Sequence, residues 1–302
     1  MTPGTNWQPE DVFLARVKRA YRHALLRDGP PPRRSIWGAI GTRQADVHAA
    51  LMAEDHTRLR AIFSDPGSTD LFYGVDNLCR SVPVDENAAA GLASQAEHLF
   101  TAADLHTKRF AFPNPFKGEC GFDTGHGVAS YRAILSAAQA MRVRALATGP
   151  VIEIGPGLGR VALHARQLGI RDYTTVDLPM GIVAQACFLG ASAGPDAIWF
   201  QTDEFPPGDR IRLMTFGDVK RSPRQYSLAL NADSIVEMDF SSAARYAIWV
   251  RRNADAFLSI NTKRRRVVSF NMLALLFFSL TQRERLPWPL REGYFEDRFS
   301  FT

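Results

Sequence analysis

The stretch 151–159, V-I-E-I-G-P-G-L-G, limits what this chain can fold into more than any other. Val151, Ile152 and Ile154 form a short apolar run of the kind that fills a buried strand. Gly155, Gly157 and Gly159 then open a helical pattern over 160–168. Strand, glycine turn and helix make half of a nucleotide-binding unit. The glycines permit a tight turn and let a ligand reach the backbone, while the helix N-terminus presents free N–H groups and the positive end of its dipole. Spacing narrows the ligand. A dinucleotide turn, G-x-G-x-x-G, needs a small residue where Arg160 stands, and here the third glycine comes one place early. Glu153 would repel a pyrophosphate and suits a zwitterionic ligand that carries a cationic group.

The motif resembles the cofactor turn of the class I S-adenosylmethionine-dependent methyltransferases. That resemblance implies S-adenosyl-L-methionine as cofactor, with Glu153, Gly155, Gly157 and Gly159 beside its methionine part. It also implies contact with the ribose by Asp177 and the adjacent Leu178, in Y-T-T-V-D-L-P (173–179), at the end of the second strand. A carboxylate suits that task because its two oxygens can take both vicinal hydroxyl protons in charge-assisted bonds. After a third strand over 211–216, Gly217 and Asp218 match the position at which such enzymes commonly meet the adenine amino group. Asp203, in the Q-T-D-E turn after an extended piece at 197–200, is the rival. A fourth strand over 227–230 leads to Asn231, expected at the cofactor, and to Asp233 and Glu237. Polar groups at the carboxyl ends of strands in an open α/β sheet face the ligand.

Before about residue 110 nothing alternates like a sheet. Asp11–Asp28 carries Phe13, Leu14, Val17, Tyr21, Ala24 and Leu25 at helical spacing, and Gly29 with the prolines that follow ends it in an extended linker, 30–34. Residues 43–63 repeat the pattern, with Val47, Leu51, Leu59 and Ile62 near one face, and 86–105 give a third, Ala-rich helix. The loop 111–127 is rich in Gly, Pro and aromatics and precedes a helix over 129–141. Long loops beside a cofactor domain often line its site, and His126, between Gly125 and Gly127, is the histidine best placed to approach a ligand. His23, His48, His56, His98 and His106 stand at no metal-ligand spacing and read as surface or packing residues. Further on, 180–189 reads as a crossover helix, 241–254 as a helix and 256–260 as the fifth strand. The closing G-Y-F-E-D-R-F-S-F reads as an edge strand. The expected fold is α/β, a Rossmann-like class I methyltransferase sheet with helices on both faces. A helical N-terminal subdomain over 1–110 and a connecting loop and helix over 111–147 precede the cofactor domain at 148–302.

Composition sets outer bounds. A chain of 302 residues that is 46% hydrophobic can bury a large core. Its net charge of +5 permits an anionic partner without demanding one, and Lys263-Arg264-Arg265-Arg266 reads as a solvated helix start. Cys79, Cys120 and Cys187 are odd in number and form no C-x-x-C pair, which fits a reducing compartment and argues against a disulfide scaffold or a cysteine zinc site. With no basic-then-apolar leader, and with the longest apolar run, 272–280, too short to span a bilayer, a cytoplasmic protein without stable membrane insertion is expected.

Several stretches are more particular: D-P-G-S-T-D-L-F-Y-G-V-D-N-L (65–78), Y-T-T-V-D-L-P, N-A-D-S-I-V-E-M (231–238), F-L-S-I-N (257–261) and R-E-G-Y-F-E (291–296). Together they resemble the bacterial sugar O-methyltransferases, a family associated with polysaccharide and glycoconjugate gene clusters. The likeness runs over about residues 60–300, with no counterpart for the first 60. It implies a sugar or glycoconjugate acceptor, and a homodimer is compatible with it. A sulfonium methyl is already activated, so transfer needs mainly alignment and a dry site. A hydroxyl acceptor needs in addition a base for its proton, worth roughly a hundredfold. His126, Asp233 and Glu237 are the candidates, the two acids sharing a face if a helix begins at once. Nothing in their spacing requires a divalent cation. A small-molecule methyltransferase of secondary metabolism stays open, as does a binding module without transfer. A nucleic-acid enzyme is disfavoured, since no N-P-P-Y or D-P-P-Y tetrad follows the fourth strand and no cysteine follows a proline.

Overall fold

A computed structural model describes residues 7–31, 35–74, 86–105, 110–222, 224–262 and 267–301, with the side chains of α5 described from 90 onward. Outside the described residues lie part of the linker after Gly29, residues 75–78 of the 65–78 motif, Cys79, His106 and the cationic run 263–266. In chain order the elements are α1 (Asp11–Asp28), α2 (Ile36–Arg43), α3 (Ala45–Met52), α4 (Thr57–Ser64), α5 (Glu86–Ala102), β1 (Gly121–Asp123), β2 (Val128–Ser130), α6 (Tyr131–Leu146), β3 (Val151–Ile154), α7 (Arg160–Gln167) and β4 (Tyr173–Val176). There follow α8 (Pro179–Ala193), β5 (Ile198–Phe200), β6 (Ile211–Met214), α9 (Phe216–Arg221), β7 (Leu228–Ala232), α10 (Phe240–Asn253), β8 (Ala256–Thr262), α11 (Phe270–Phe278), β9 (Gln282–Pro287) and β10 (Tyr294–Ser300).

Eight strands form one sheet in the order β5-β6-β4-β3-β7-β8-β10-β9. From β5 to β8 every pairing is parallel, and β10 enters antiparallel between β8 and β9. The chain builds outward from β3 on one side and then returns to lay β7 on the other. That reversal leaves a crevice outside the carboxyl ends of β3 and β7, where ligands of doubly wound sheets bind. This is the expected Rossmann-like class I methyltransferase order. β3 and β4 are buried along their whole length, as central parallel strands covered on both faces are.

Alternate strand residues feed two cores. Val151, Leu228, Leu230, Leu258 and Ile260 pack with α1, α7 and α8 on one face. Ile152, Ile154, Ala229 and Phe257 pack with α10 and α11 on the other. α1 forms as the sequence indicates, and its C-cap Gly29 has φ 70. Its inner side lies against the sheet's own helices. Phe13 fills the space a side chain at Gly190 of α8 would need, coming within 3.0 Å of the ideal Cβ position. Arg16 makes a paired contact with Asp203, at 3.0 and 2.8 Å, and donates to the Ile198 carbonyl at 2.8 Å.

Four expectations need correction. The helix expected over 43–63 is three shorter helices, although Val47, Leu51, Leu59 and Ile62 are all buried as the spacing implied. It starts earlier, where the Ser35 hydroxyl accepts from the Gly38 N–H, and it is interrupted at Gln44. It breaks again after Met52 because Lys18 of α1 takes the Ala53 and Asp55 carbonyls while the Asp55 carboxylate accepts from the Thr57 N–H. The loop 111–127 contains β1, which pairs with β2 as a small hairpin, and the following helix begins only at Tyr131. The third strand stops at Met214, since Thr215 and Asp218 close a capping box that starts α9. The closing segment is not an edge: β10 is flanked on both sides, and the charged β9 (Q-R-E-R-L-P), overlooked in the sequence, is the edge.

The Arg16 to Asp203 contact joins α1 to the loop after β5, with the Asp203 side chain fully buried. Arg16→Ala, which strands that carboxylate, is expected to lower the unfolding free energy by about 3 kcal/mol in urea titrations, and a loss below about 0.5 kcal/mol would show that α1 is only loosely attached.

Candidate functional site

The crevice opens into a cavity of about 900 Å³, toward the upper end of the range in which small-molecule and cofactor sites fall. Its floor is the end of the sheet. Glu153, Gly155, Pro156 and Gly157 line it from β3, Asp177 and Leu178 from β4, and Asp233, Ser234 and Glu237 from the segment after β7. The opposite wall comes from the N-terminal helices: Tyr21, Leu25 and Asp28 of α1, Trp37 of α2 and His48 of α3.

Backbone geometry explains the glycines. Gly155 and Gly157 have φ 64 and 62, and a side chain at Gly155 would sit 2.2 Å from the Ser234 hydroxyl. The Ile154 carbonyl just before the turn accepts from the Asn231 amide at 3.0 Å and from the Ser234 hydroxyl at 2.9 Å. Asn261 of β8 donates to the Asn231 oxygen at 3.0 Å. Asn231 is therefore buried beneath the turn and does not line the cavity. Gly159 is the N-cap of α7 and packs toward Leu189, likewise away from the cavity.

Asp177 is held ready. Its oxygens accept from the Leu178 N–H at 2.8 Å and the Gln185 amide at 2.9 Å. Gly181 leaves the room it needs, because an ideal Cβ there would lie 2.5 Å from the Asp177 carboxyl carbon. Burial pushes the Asp177 carboxyl up to about 7, against the lowering effect of those two donors. Glu153 is 2% exposed, and burial pushes its carboxyl up to about 8, with the Asp177 charge adding to the rise and the Tyr173 hydroxyl, donating at 2.9 Å, opposing it. Two acids converge on one cavity floor, and burial biases both toward the neutral form, Glu153 more than Asp177.

The expected adenine acid is elsewhere. One oxygen of Asp218 accepts from Thr215 in the capping box and the other bonds His23 of α1 at 2.9 Å, so the side chain is absent from the cavity lining. Gly217 also lies behind the wall, where its N–H donates to the Asp28 carboxylate at 2.9 and 3.1 Å. Asp28 itself lines the cavity, beside Phe216 and Tyr246, whose ring centroids are 4.4 Å apart. Asp203, the rival, is committed to Arg16. His126 is exposed on the hairpin turn, where its carbonyl accepts from the Phe112 N–H, and it is not among the cavity residues.

Asp233 and Glu237 both face the cavity, but not along one helix. Asp233 has φ 64, a left-handed conformation uncommon for a residue other than glycine, and Ile235–Glu237 is a single 3-10 turn. Arg291 holds one Asp233 oxygen, while the other is buried with no hydrogen-bond partner. Sequence reasoning missed Tyr21, Asp28, Trp37, His48 and Arg291. His48, taken for a packing residue, bonds the Tyr21 hydroxyl through Nδ1 at 2.8 Å. Arg291 lay within R-E-G-Y-F-E, one of the stretches that carry the sugar O-methyltransferase resemblance, whereas Tyr21 and Asp28 read only as parts of a helix.

No protein-family model matches the sequence, and no curated protein does either. Among solved structures, the CcbJ methyltransferase from Streptomyces caelestis aligns over 55% of this chain and 88% of its own, at 14% identity and a TM-score of 0.43. The glycopeptide N-methyltransferase MtfA complexed with S-adenosyl-L-methionine aligns over 55% and 87%, at 15% identity and 0.43. The magnesium protoporphyrin IX methyltransferase ChlM from Synechocystis PCC 6803 aligns over 56% and 76%, at 13% identity and 0.39. At such scores the likeness is partial, and the fold rests on the strand order itself.

A carboxyl whose pKa is raised by folding stabilises the protein below its unfolded value and loses that contribution as pH climbs through the folded one. For Glu153 this window runs from about pH 4.5 to about 8. Glu153→Gln should therefore gain stability relative to wild type as pH rises across that window, read as a growing gap in melting temperature without ligand. Parallel curves would place the Glu153 proton outside the folding equilibrium.

Proposed function

We propose that this protein is an S-adenosyl-L-methionine-dependent methyltransferase that acts on a hydroxyl of a sugar or glycoconjugate. The observation that carries the reading is the meeting of the Gly155 to Gly157 backbone and the Asp177 carboxylate on one cavity floor, at the ends of adjacent parallel strands. The residues fit that cofactor. Asp177 has lone pairs left for two vicinal ribose hydroxyls, Glu153 suits the cationic end of a zwitterion, and the open glycine turn admits the chain between them. Phe216 and Tyr246 offer ring faces to a flat base, with Asp28 rather than Asp218 as the carboxylate at its edge.

When bound, S-adenosyl-L-methionine would supply an activated methyl group. The remaining work belongs to the chain: holding the acceptor in line, excluding water and taking the hydroxyl proton. Asp233 is the candidate base. Arg291 fixes its orientation at the cavity wall, in a backbone conformation that costs roughly 1 kcal/mol or more to maintain. Burial keeps the Tyr21 hydroxyl protonated by pushing it up to about 12. Its hydrogen bond with His48 Nδ1, at 2.8 Å, holds the imidazole against the cavity wall, where it can orient the acceptor. Trp37 adds a flat apolar face and Gln139, Arg132 and Ser136 add donors in the same cavity, a mixture suited to a polyhydroxylated ring. His126 has no part in this reading. A small-molecule acceptor would use the same groups.

Asp177→Ala is expected to weaken S-adenosyl-L-methionine binding by about 100-fold in calorimetric titration, because charge-assisted hydrogen bonds are lost. Asp233→Asn should leave that affinity within about twofold and slow transfer by about 100-fold. Labelled cofactor offered with a panel of nucleotide sugars and glycans, read by mass spectrometry, tests the acceptor. A methyl group found only on nucleic acid or a non-sugar metabolite would refute the sugar assignment, and failure of wild type to bind the cofactor would refute the whole reading.

A further inference from the structure

We propose that the outer face of α11 docks this protein onto an anionic membrane surface, without crossing the bilayer. The reading is independent of the acceptor. Apart from Asn271 near its start, α11 is wholly apolar, F-N-M-L-A-L-L-F-F, yet only one side is used by the fold. Phe270, Leu273, Ala274 and Phe278 are buried, and Phe270 and Phe278 pack on Phe257 and Phe299. On the other side Met272 is 41% exposed, Leu275 70% and Leu276 56%, with Leu280 at 92% just past the helix. Positions 272, 275, 276 and 280 recur at helical spacing, so these side chains form one stripe. Phe240, 46% exposed, extends it from α10 through its ring contact with Phe277. A stripe of this kind facing water is costly unless something covers it.

Charge at the border selects the occupant. Arg283 and Arg285 project from one face of the edge strand β9, and both donate to the Asn271 side chain at the start of α11, at 3.3 and 2.7 Å. The acids nearby are Asp297, which is buried and paired with both Arg283 and Arg285, Glu284, which alternates to the opposite face of β9, and Asp239, whose carboxylate is taken up in capping α10 beside Phe240. Two guanidiniums beside one buried carboxylate leave the border cationic. A second copy of this chain is a poor cover. A two-fold interface would set this cationic border against itself, and a handful of part-exposed side chains falls short of the roughly 800 Å² per partner of a standard stable dimer. An anionic bilayer matches both parts: acyl chains and headgroup boundary for the leucines, phosphates for the arginines. No described helix is long and apolar enough to cross a membrane.

The test is flotation of the full chain with vesicles of phosphatidylcholine alone and of phosphatidylcholine mixed with an equal part of phosphatidylglycerol. Binding is expected to the mixed vesicles only, and to fall severalfold as salt is raised from about 0.1 M to about 1 M, where the screening length drops from roughly 10 to roughly 3 Å. The double variant Leu275→Glu, Leu276→Glu should bind at least about tenfold less while keeping the wild-type circular dichroism and melting temperature, since both side chains already face solvent. Absence of wild-type binding, equal binding to neutral vesicles, or unchanged binding by the variant would each overturn the proposal. So would a dimer in sedimentation velocity that the same variant disperses while vesicles recruit neither form.

Discussion

Two hydrogen bonds to one carbonyl oxygen hold this site open. The Ile154 carbonyl would otherwise end β3 with an unsatisfied group at the point where the chain must turn sharply. Asn231 and Ser234 satisfy it from the neighbouring β7, and Asn261 fixes Asn231 from β8. The glycine turn is thus tied to the strands on one side of the switch point. The Gly155 N–H donates to the Val176 carbonyl at 2.9 Å and ties it to β4 on the other, one residue before Asp177. The distance between the turn and the carboxylate is set by ladder hydrogen bonds rather than by flexible loops. A ligand that needs both finds them already in position, which lowers the ordering cost of binding.

The second constraint is the enclosure of that floor by α1. Arg16 on Asp203, His23 on Asp218 and Asp28 on Gly217 are successive contacts down one helix, each to a loop or helix that follows a strand of the sheet. They use up the acids that sequence position alone suggested for the base-binding end and bring Asp28 forward in their place. The same helix delivers Tyr21, and through it His48, to the wall opposite the glycine turn. On the floor below this wall, burial raises the Glu153 and Asp177 carboxyls toward neutrality. Fold, enclosure and electrostatics are one arrangement.

The legible part of this protein was its periodic part. An apolar run gave β3, glycines gave the turn, and helical spacing gave α1 to the residue, because local sterics and burial dictate each, whereas β4, Y-T-T-V, followed from the resemblance of 173–179 to a cofactor motif. What could not be read was decided by side chains from distant segments. The single helix expected over 43–63 is split by Lys18 reaching across from α1, and periodicity carries no trace of such a contact. β9 was missed because Arg283, Arg285 and Leu286 at an exposed edge show no apolar alternation, and β10, which alternates aromatic and polar residues, read as the edge because no strand was expected beside it. At the site, the floor residues Glu153, Gly155, Gly157, Asp177, Leu178, Asp233 and Glu237 meet at one cavity. Asn231, Gly159 and Gly217 lie one layer behind, Asp218 serves α9, and His126 stands apart on a hairpin. A strand-end motif names the neighbourhood of a ligand but not which side of the backbone a given residue will face.

A structure determined with S-adenosyl-L-homocysteine present at saturation bears most directly on the central claim. The account predicts the ribose hydroxyls within hydrogen-bonding distance of both Asp177 oxygens and the amino acid part against the backbone from Gly155 to Gly157. Density for the nucleoside anywhere else, or an Asp177 carboxylate still bonded only to Leu178 and Gln185 with ligand bound, would contradict it.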